Sequence, residues 1–188
     1  MLPQDITPIL TTMFGTAVQA SGVESWQVEL GTFRLLVLLS DDRSWLRSLI
    51  SIAPAQEARP YLEQLLEANF DETQETRYAI HQGILWGVFQ HSLEGLSGED
   101  FQAAIARLIS LQEKGLSQSF SQLAESQIRQ IIYAAKRQGQ SIELTLQNLE
   151  RFYQEGLMGD MDQNAQQRQS VLDAWRYQLE RLWNEVEL

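Results

Sequence analysis

Apolar residues recur at three- and four-residue spacing over 5–20, where Ile6, Ile9, Leu10, Met13, Ala17 and Val18 share one helical face. Asp5 offers a cap at the start, Pro8 falls in the first turn, and Gly22 ends the segment. The period then drops to two. Trp26, Val28 and Leu30 alternate with Ser25, Gln27 and Glu29, the pattern of a half-buried strand. Gly31-Thr32 and Ser40-Asp41-Asp42 mark turns around a second strand over 33–39, and a third over 45–52 stops before Pro54. Helical spacing returns over 55–69, with Ala58, Tyr61, Leu62, Leu65 and Leu66 on one face and Pro60 within its first or second turn. Two further strands follow, over 76–82 and 84–92, on either side of Gly83. Ser97-Gly98-Glu99-Asp100 opens another helix, Ser97 as cap with Asp100 three residues on, and Phe101, Ala104, Ile105, Leu108 and Ile109 form its buried stripe to Gly115.

Beyond 116 no period-two pattern remains. Ile128, Ile131, Ile132 and Ala135 mark one helix, and Ile142, Leu146, Leu149, Phe152 and Tyr153 a second. A loop over 156–164 precedes a last helix with Leu172, Trp175, Leu179, Leu182 and Val186 on one seam. The order α-β-β-β-α-β-β-α, followed by helices alone, predicts an α+β fold: an antiparallel sheet with helices over 1–116, and a C-terminal helical extension over 117–188 packed on it.

Composition narrows the function. The 188 residues carry 14 basic and 25 acidic side chains, a net charge of −11. Nucleic acids and anionic membranes reward clustered Lys and Arg, and this surface offers no basic run longer than Lys136-Arg137. No cysteine is present, which excludes disulfides, thiolate metal sites and cysteine nucleophiles. The first residues, Met-Leu-Pro-Gln-Asp-Ile, have neither the basic start nor the apolar stretch of a signal peptide, and 35–39 is far too short to cross a bilayer. The expected location is the cytoplasm.

Motifs for chemistry are sparse. No Gly-rich phosphate loop, dinucleotide fingerprint or nucleophile elbow occurs. The two histidines, His81 and His91, fall on neighbouring strands with Ile84 and Gln74 as their expected cross-strand partners, so their rings do not share a metal. Asp160-Met161-Asp162-Gln163-Asn164 has the spacing that opens a calcium loop, but Ala165 stands where the turn needs Gly and Val171 where the loop closes on Glu. Asp41-Asp42, Asp71-Glu72, Glu94, Glu99 and Asp100 read as solvated turn and helix-entry charges. The expectation is a protein that is not an enzyme and needs no cofactor or metal.

Three stretches resemble the type III secretion chaperone family of the Tir-chaperone type and the related YbjN family. Residues 61–70, Tyr-Leu-Glu-Gln-Leu-Leu-Glu-Ala-Asn-Phe, resemble the family's second helix with its Leu-Leu-x-x-Asn ending. Gly83-Ile84-Leu85-Trp86-Gly87-Val88 resembles its hairpin between fourth and fifth strands, and Leu96-Ser97-Gly98-Glu99-Asp100-Phe101 the entry to its third helix. The resemblance covers 5–115. It implies a twisted antiparallel sheet packed by helices, in small acidic cytoplasmic proteins that are usually dimeric and hold an extended segment of a client protein.

Two strands depart from the one-sided alternation of a half-exposed sheet. Phe33, Leu35, Val37 and Leu39 point one way while Leu36 and Leu38 point the other; Ile84, Trp86 and Val88 likewise oppose Leu85 and Phe89. Leaving one such face open would expose several hundred Å² of apolar surface. The C-terminal helices, a second subunit or a client segment are the candidates to cover it. Leu36, Leu38, Leu85 and Phe89, with the large Trp175 and Trp183 of the last helix, are the candidate partner-binding or dimer-interface residues. By analogy with the resembling family, the face of Leu85 and Phe89 is the expected intersubunit surface. The expected function is a non-enzymatic protein-binding module, chaperone-like or an adaptor, binding a protein client and forming a homodimer. The alternatives are a small-molecule- or metal-responsive regulatory domain, and an enzyme built on carboxylates alone.

Overall fold

A computed structural model of the chain describes residues 1–22, 24–154 and 165–188; for 152–154 and 165–171 the backbone alone is described. The described chain divides into two compact units, Met1–Phe120 and Ser121–Leu188.

The first unit is α+β. Helix α1 (Pro3–Phe14) leads through a 3₁₀ turn into strands β1 (Val18–Ala20), β2 (Ser25–Leu30), β3 (Phe33–Leu39) and β4 (Trp45–Pro54). Helix α2 (Ala55–Ala58), a 3₁₀ turn (Arg59–Tyr61) and helix α3 (Leu62–Asp71) follow, then β5 (Thr76–His81), β6 (Ile84–Ser92) and α4 (Gly98–Lys114). The six strands form one antiparallel sheet in the order β1-β2-β3-β4-β6-β5. The five strands expected over 24–92 are all present.

The sixth strand is a correction. Ala17 and Val18 match the spacing of the first helix, but the helix stops at Phe14, because Gly15 takes φ 58° and caps its C-terminus. Val18 then pairs with Val28 on the sheet edge. The helix also starts earlier than its pattern suggests, at Pro3, so Pro8 lies in its interior rather than its first turn. Asp5 accepts a hydrogen bond from the Leu2 N–H at 2.7 Å.

One layer of helices packs on one face of the sheet. Ile6 and Leu10 of α1 and Phe101, Ala104, Ile105 and Leu108 of α4 join Trp26, Val28, Leu35, Val37, Leu46, Ile50 and Phe89 in one buried cluster. The Trp26 indole N–H donates to Thr7 Oγ1 at 2.8 Å and ties α1 to β2. Leu65 of α3 meets Leu85 and Ala58 in a smaller cluster on the same face. Ser97 caps α4 as its motif predicts, accepting from the Asp100 N–H at 3.0 Å. A residue larger than glycine has no room at 87: a Cβ there would lie 2.9 Å from Ile50 Cγ2 and 3.3 Å from Leu108 Cδ2. Gly87 thus lies tightly between Ile50 of β4 and Leu108 of α4. Gln82 and Gly83 both take positive φ, the two-residue turn that joins β5 to β6 without splaying them.

The second unit is helical. It holds helices α6 (Ile142–Gln154) and α7 (Ala165–Trp183) and most of α5 (Ser117–Arg137). Ile128, Ile132, Leu179 and Leu182 form its buried centre, with Ile142, Leu146, Leu149, Trp175, Trp183 and Val186 partly buried around it. Its rim is ionic. Glu125 meets Arg129 at 2.9 Å and Arg181 at 2.7 Å, and Arg129 reaches on to Glu185 at 2.6 Å. The hydrogen bond from Arg181, and then that from Arg129, holds the Glu125 carboxyl below its ordinary value.

Candidate partner-binding surface

The register of the sheet decides which apolar residues are covered. Leu35 pairs with Ile50 and Ile50 with Gly87, so the odd-numbered residues of β3 and β6 lie on the same face. That is the helix-covered face, and it includes Leu85 and Phe89, each 1% exposed. Leu36 and Leu38 lie on the opposite face. The four strand candidates therefore do not form one patch, and Leu85 and Phe89 leave the list of surface residues. Both lie in intramolecular clusters, Phe89 with α1 and α4 and Leu85 with α3. Alternation within each strand is visible in sequence. Which face of β6 continues which face of β3 depends on β4 between them.

The other face carries a row across the sheet: Gln27, Leu36, Leu49, Val88 and Arg77, each paired with the next. Three apolar side chains thus form the middle and polar groups the two ends. The next row runs Ser25, Leu38, Arg47 and Gln90, and a third Ser51, Trp86 and Ala79. Leu36, Leu38, Leu49 and Trp86 are half-buried, and Trp45, on the same face, is 48% exposed. Ile6 and Leu10 of α1, Leu65 of α3, and Phe101, Ala104, Ile105 and Leu108 of α4 go to the opposite face. An open cleft of about 480 Å³ lies among Leu38, Trp45, Arg47 and Gln90 at one end of this surface. Asp42 borders it, but its carboxylate is turned to the Ser40 hydroxyl and to the Ser44 N–H and hydroxyl. Those hydrogen bonds, that of Ser40 above all, hold its pKa down to about 2.

Trp175 and Trp183 sit in the helical unit, packed half-buried against its own centre. The Lys136 ammonium lies 5.5 Å from the Trp183 ring centroid and donates to the Val186 carbonyl at 2.8 Å.

A second apolar surface was not singled out by sequence. Leu62 and Leu66 share a helical face with Leu65 by spacing, but only Leu65 is buried. The 3₁₀ turn containing Pro60 breaks the phase between α2 and α3. Leu65, Ala68 and Gln64 then turn inward. Leu62, Leu66 and Phe70 form an outward ridge, exposed by 38%, 67% and 89%. Asn69, from the Leu-Leu-x-x-Asn stretch, has a different task. Its Oδ1 accepts from the Tyr78 N–H at 2.7 Å, and its Nδ2 donates to the Tyr78 carbonyl at 3.1 Å. Strand β5 is an edge, so Asn69 occupies the backbone groups that an added strand would use there. Burial there pushes the Tyr78 phenol upward, and the nearby Glu72 charge adds to it.

His81 pairs with Ile84 as its position predicts, whereas His91 pairs with Leu46 and lies on the other face of the sheet. The His91 ring stacks on Phe89 with centroids 6.0 Å apart. Among the described residues no three His, Asp or Glu side chains gather closely enough to hold a metal ion. The loop of Asp160, Asp162 and Asn164 lies outside the described residues. Among the described residues, no helix is long and apolar enough to cross a membrane.

No protein-family model and no curated protein matches the chain. Solved structures do. A chain from the HopA1–SchA chaperone–effector complex is 12% identical, with TM-score 0.46 over 57% of this chain and 87% of its own. One from the ExsC–ExsE complex is 15% identical, with TM-score 0.48 over 61% and 96%. One from the ExoU–SpcU heterodimer of the Pseudomonas aeruginosa type III secretion system is 14% identical, with TM-score 0.47 over 60% and 95%.

Proposed function

We propose that this protein is a non-catalytic protein-binding module, chaperone-like or an adaptor, that holds a segment of a client protein on the sheet face opposite α1, α3 and α4. The observation that carries the reading is the row Leu36, Leu49 and Val88 with Leu38 and Trp86 beside it. The buried clusters formed with α1, α3 and α4 lie on the opposite face. An apolar sheet centre with polar ends suits an apolar partner segment whose flanks stay wet. Tagged protein purified from native extract is expected to bring down a stoichiometric partner, identified by mass spectrometry. Leu36→Asp with Leu38→Asp is expected to lose that partner while keeping a native circular dichroism spectrum. Undiminished recovery by the double variant would reject the surface. A small molecule that stabilises the wild type in a thermal-shift screen, with no partner recovered, would favour the regulatory-domain alternative instead.

The ridge on α3 supports a second element of the reading, a homodimer. Side chains spaced at i, i+4 and i+8 pack into a like ridge at a crossing angle near −50°. A second copy supplies that ridge by symmetry, with Leu66 near the twofold axis and Leu62 of each copy against Phe70 of the other. Glu63 and Glu67 run beside the ridge, so like charges meet at the rim and added salt tightens association. Light scattering is expected to give twice 21.5 kDa for the wild type and 21.5 kDa for Leu66→Glu. A monomeric wild type at micromolar concentration would remove the homodimer and leave the client-binding reading standing.

A further inference from the structure

We propose that the sheet face opposite α1, α3 and α4 selects client segments in which an Asp or Glu stands among apolar residues, and that Arg47 and Arg77 receive its carboxylate. The inference rests on the client-binding reading above and adds the chemistry of the client.

The chain is strongly acidic, and three of the six arginines of its first unit meet carboxylates. Arg34 lies 3.3 Å from Glu29, Arg43 3.1 Å from Glu24 and Arg107 4.0 Å from Glu75. Arg47, Arg59 and Arg77 have no carboxylate partner among the described residues, and of these Arg47 and Arg77 stand exposed together on the sheet face opposite α1, α3 and α4. They flank a single neutral side chain. Arg47 stands directly opposite Gln90 across β4 and β6, and Arg77 Nη2 donates to Gln90 Oε1 at 3.2 Å. Arg47 and Arg77 are two strand spacings and two residues apart, so their backbones lie about 12 Å from each other. Both side chains are long enough to converge on one anion between them.

Their surroundings define the ligand. Arg77 ends the row of Leu36, Leu49 and Val88, and Arg47 lines the cleft with Leu38 and Trp45. An apolar floor lowers the local dielectric, which strengthens a charge-assisted hydrogen bond once water is displaced. The guanidinium fork matches a carboxylate in two hydrogen bonds. A nucleic acid would need many more cations than two on a chain of net charge −11. The apolar row would contribute nothing to a free carboxylate ion. A protein segment satisfies both halves of the site.

The test uses two pools of acetylated, amidated heptapeptides in which apolar residues alternate with Ser around a central Glu in one pool and Gln in the other. Binding to the full chain is followed by fluorescence anisotropy, and its location by the NMR signal of the Trp45 indole. The Glu pool is expected to bind about tenfold more tightly or better than the Gln pool. Arg47→Gln and Arg77→Gln are each expected to reduce that preference, and the double variant to abolish it. Both side chains are exposed, so the variants are expected to keep the wild-type melting temperature. Equal binding of the two pools at the Trp45 face would overturn the carboxylate proposal and leave the client-binding reading intact. Binding of neither pool at millimolar concentration would overturn both. Sodium acetate binding as tightly as the Glu pool would show a free-anion site and overturn the protein-segment proposal.

Discussion

The two faces of one sheet make the instructive comparison in this molecule. Strands β3 and β6 are apolar on both sides, and their sequences do not distinguish one side from the other. On the side of Leu35, Val37, Ile50, Leu85 and Phe89, three helices bring buried side chains, and these residues are at most 1% exposed. On the other side Leu36, Leu38 and Trp86 of the same strands are half-buried and Val88 is 7% exposed, with Leu49 and Arg47 of β4 and Arg77 of β5 among them. Equal hydrophobicity thus serves a folding core on one face and a surface on the other.

Truncation measures that difference most directly. Phe89→Ala removes a ring from the centre of the helix-covered core and is expected to cost about 3–5 kcal/mol of stability. Leu38→Ala, on the opposite face of the same sheet, is expected to cost less than about 1 kcal/mol, because its side chain remains partly in water in the folded state. Urea denaturation of both variants checks the pair. Equal losses would mean that the second face is as much a core as the first.

Crowding the contact between helix and sheet is the next test. Gly87→Ala places a methyl group 2.9 Å from Ile50 Cγ2, and the expected loss is about 1–3 kcal/mol by chemical denaturation. The nearest atoms belong to Ile50 of the neighbouring strand β4 and to Leu108 of α4, so sheet and helix both crowd the added methyl group.

Asn69→Ala tests the edge between the two faces. It leaves the Tyr78 N–H and carbonyl without the amide that pairs with both, at an expected cost of about 1–3 kcal/mol. Faster amide exchange at Tyr78 is the sharper readout, because it separates loss of the edge guard from general loosening. Unchanged exchange there would contradict the assigned role.

The smallest effect belongs to the helical unit, at the ion network on the rim of its apolar centre. Glu125 has a lowered pKa in the fold, so its contribution is fully present above its ordinary value of 4.5 and is lost as pH falls through the folded value. The pair groups are about two-fifths exposed, so Glu125→Gln is expected to cost less than about 1 kcal/mol at neutral pH. The variant's stability is also expected to fall less steeply between pH 6 and pH 3 than that of the wild type, as read by thermal melts.

Element types were legible in the chain because hydrophobic period is a local property. The switch from spacing of three and four to spacing of two, and back, places all five longer strands and the helices around them. The misreadings share one cause. At Val18, helical spacing continues past Gly15, but a positive-φ cap and a vacant sheet edge redirect the chain into a strand. At Leu62 and Leu66, apolar spacing suggested burial, but the turn at Pro60 rotates the helix and sends them outward.

The candidate surface was legible in kind and not in membership. The double-sided apolar pattern of β3 and β6 announced that one face needs cover, and Leu36 and Leu38 are on the face opposite α1, α3 and α4. Leu85 and Phe89 are on the other. What the sequence determined by itself was therefore the α+β order, the alternation within each strand and the strongly acidic balance, all set by covalent neighbours. Only the tertiary structure decided which alternation faces the helices, that Arg47 and Arg77 flank Gln90, and that Asn69 guards Tyr78. These depend on register across β4 and on the phase of α3, which contacts distant in sequence determine.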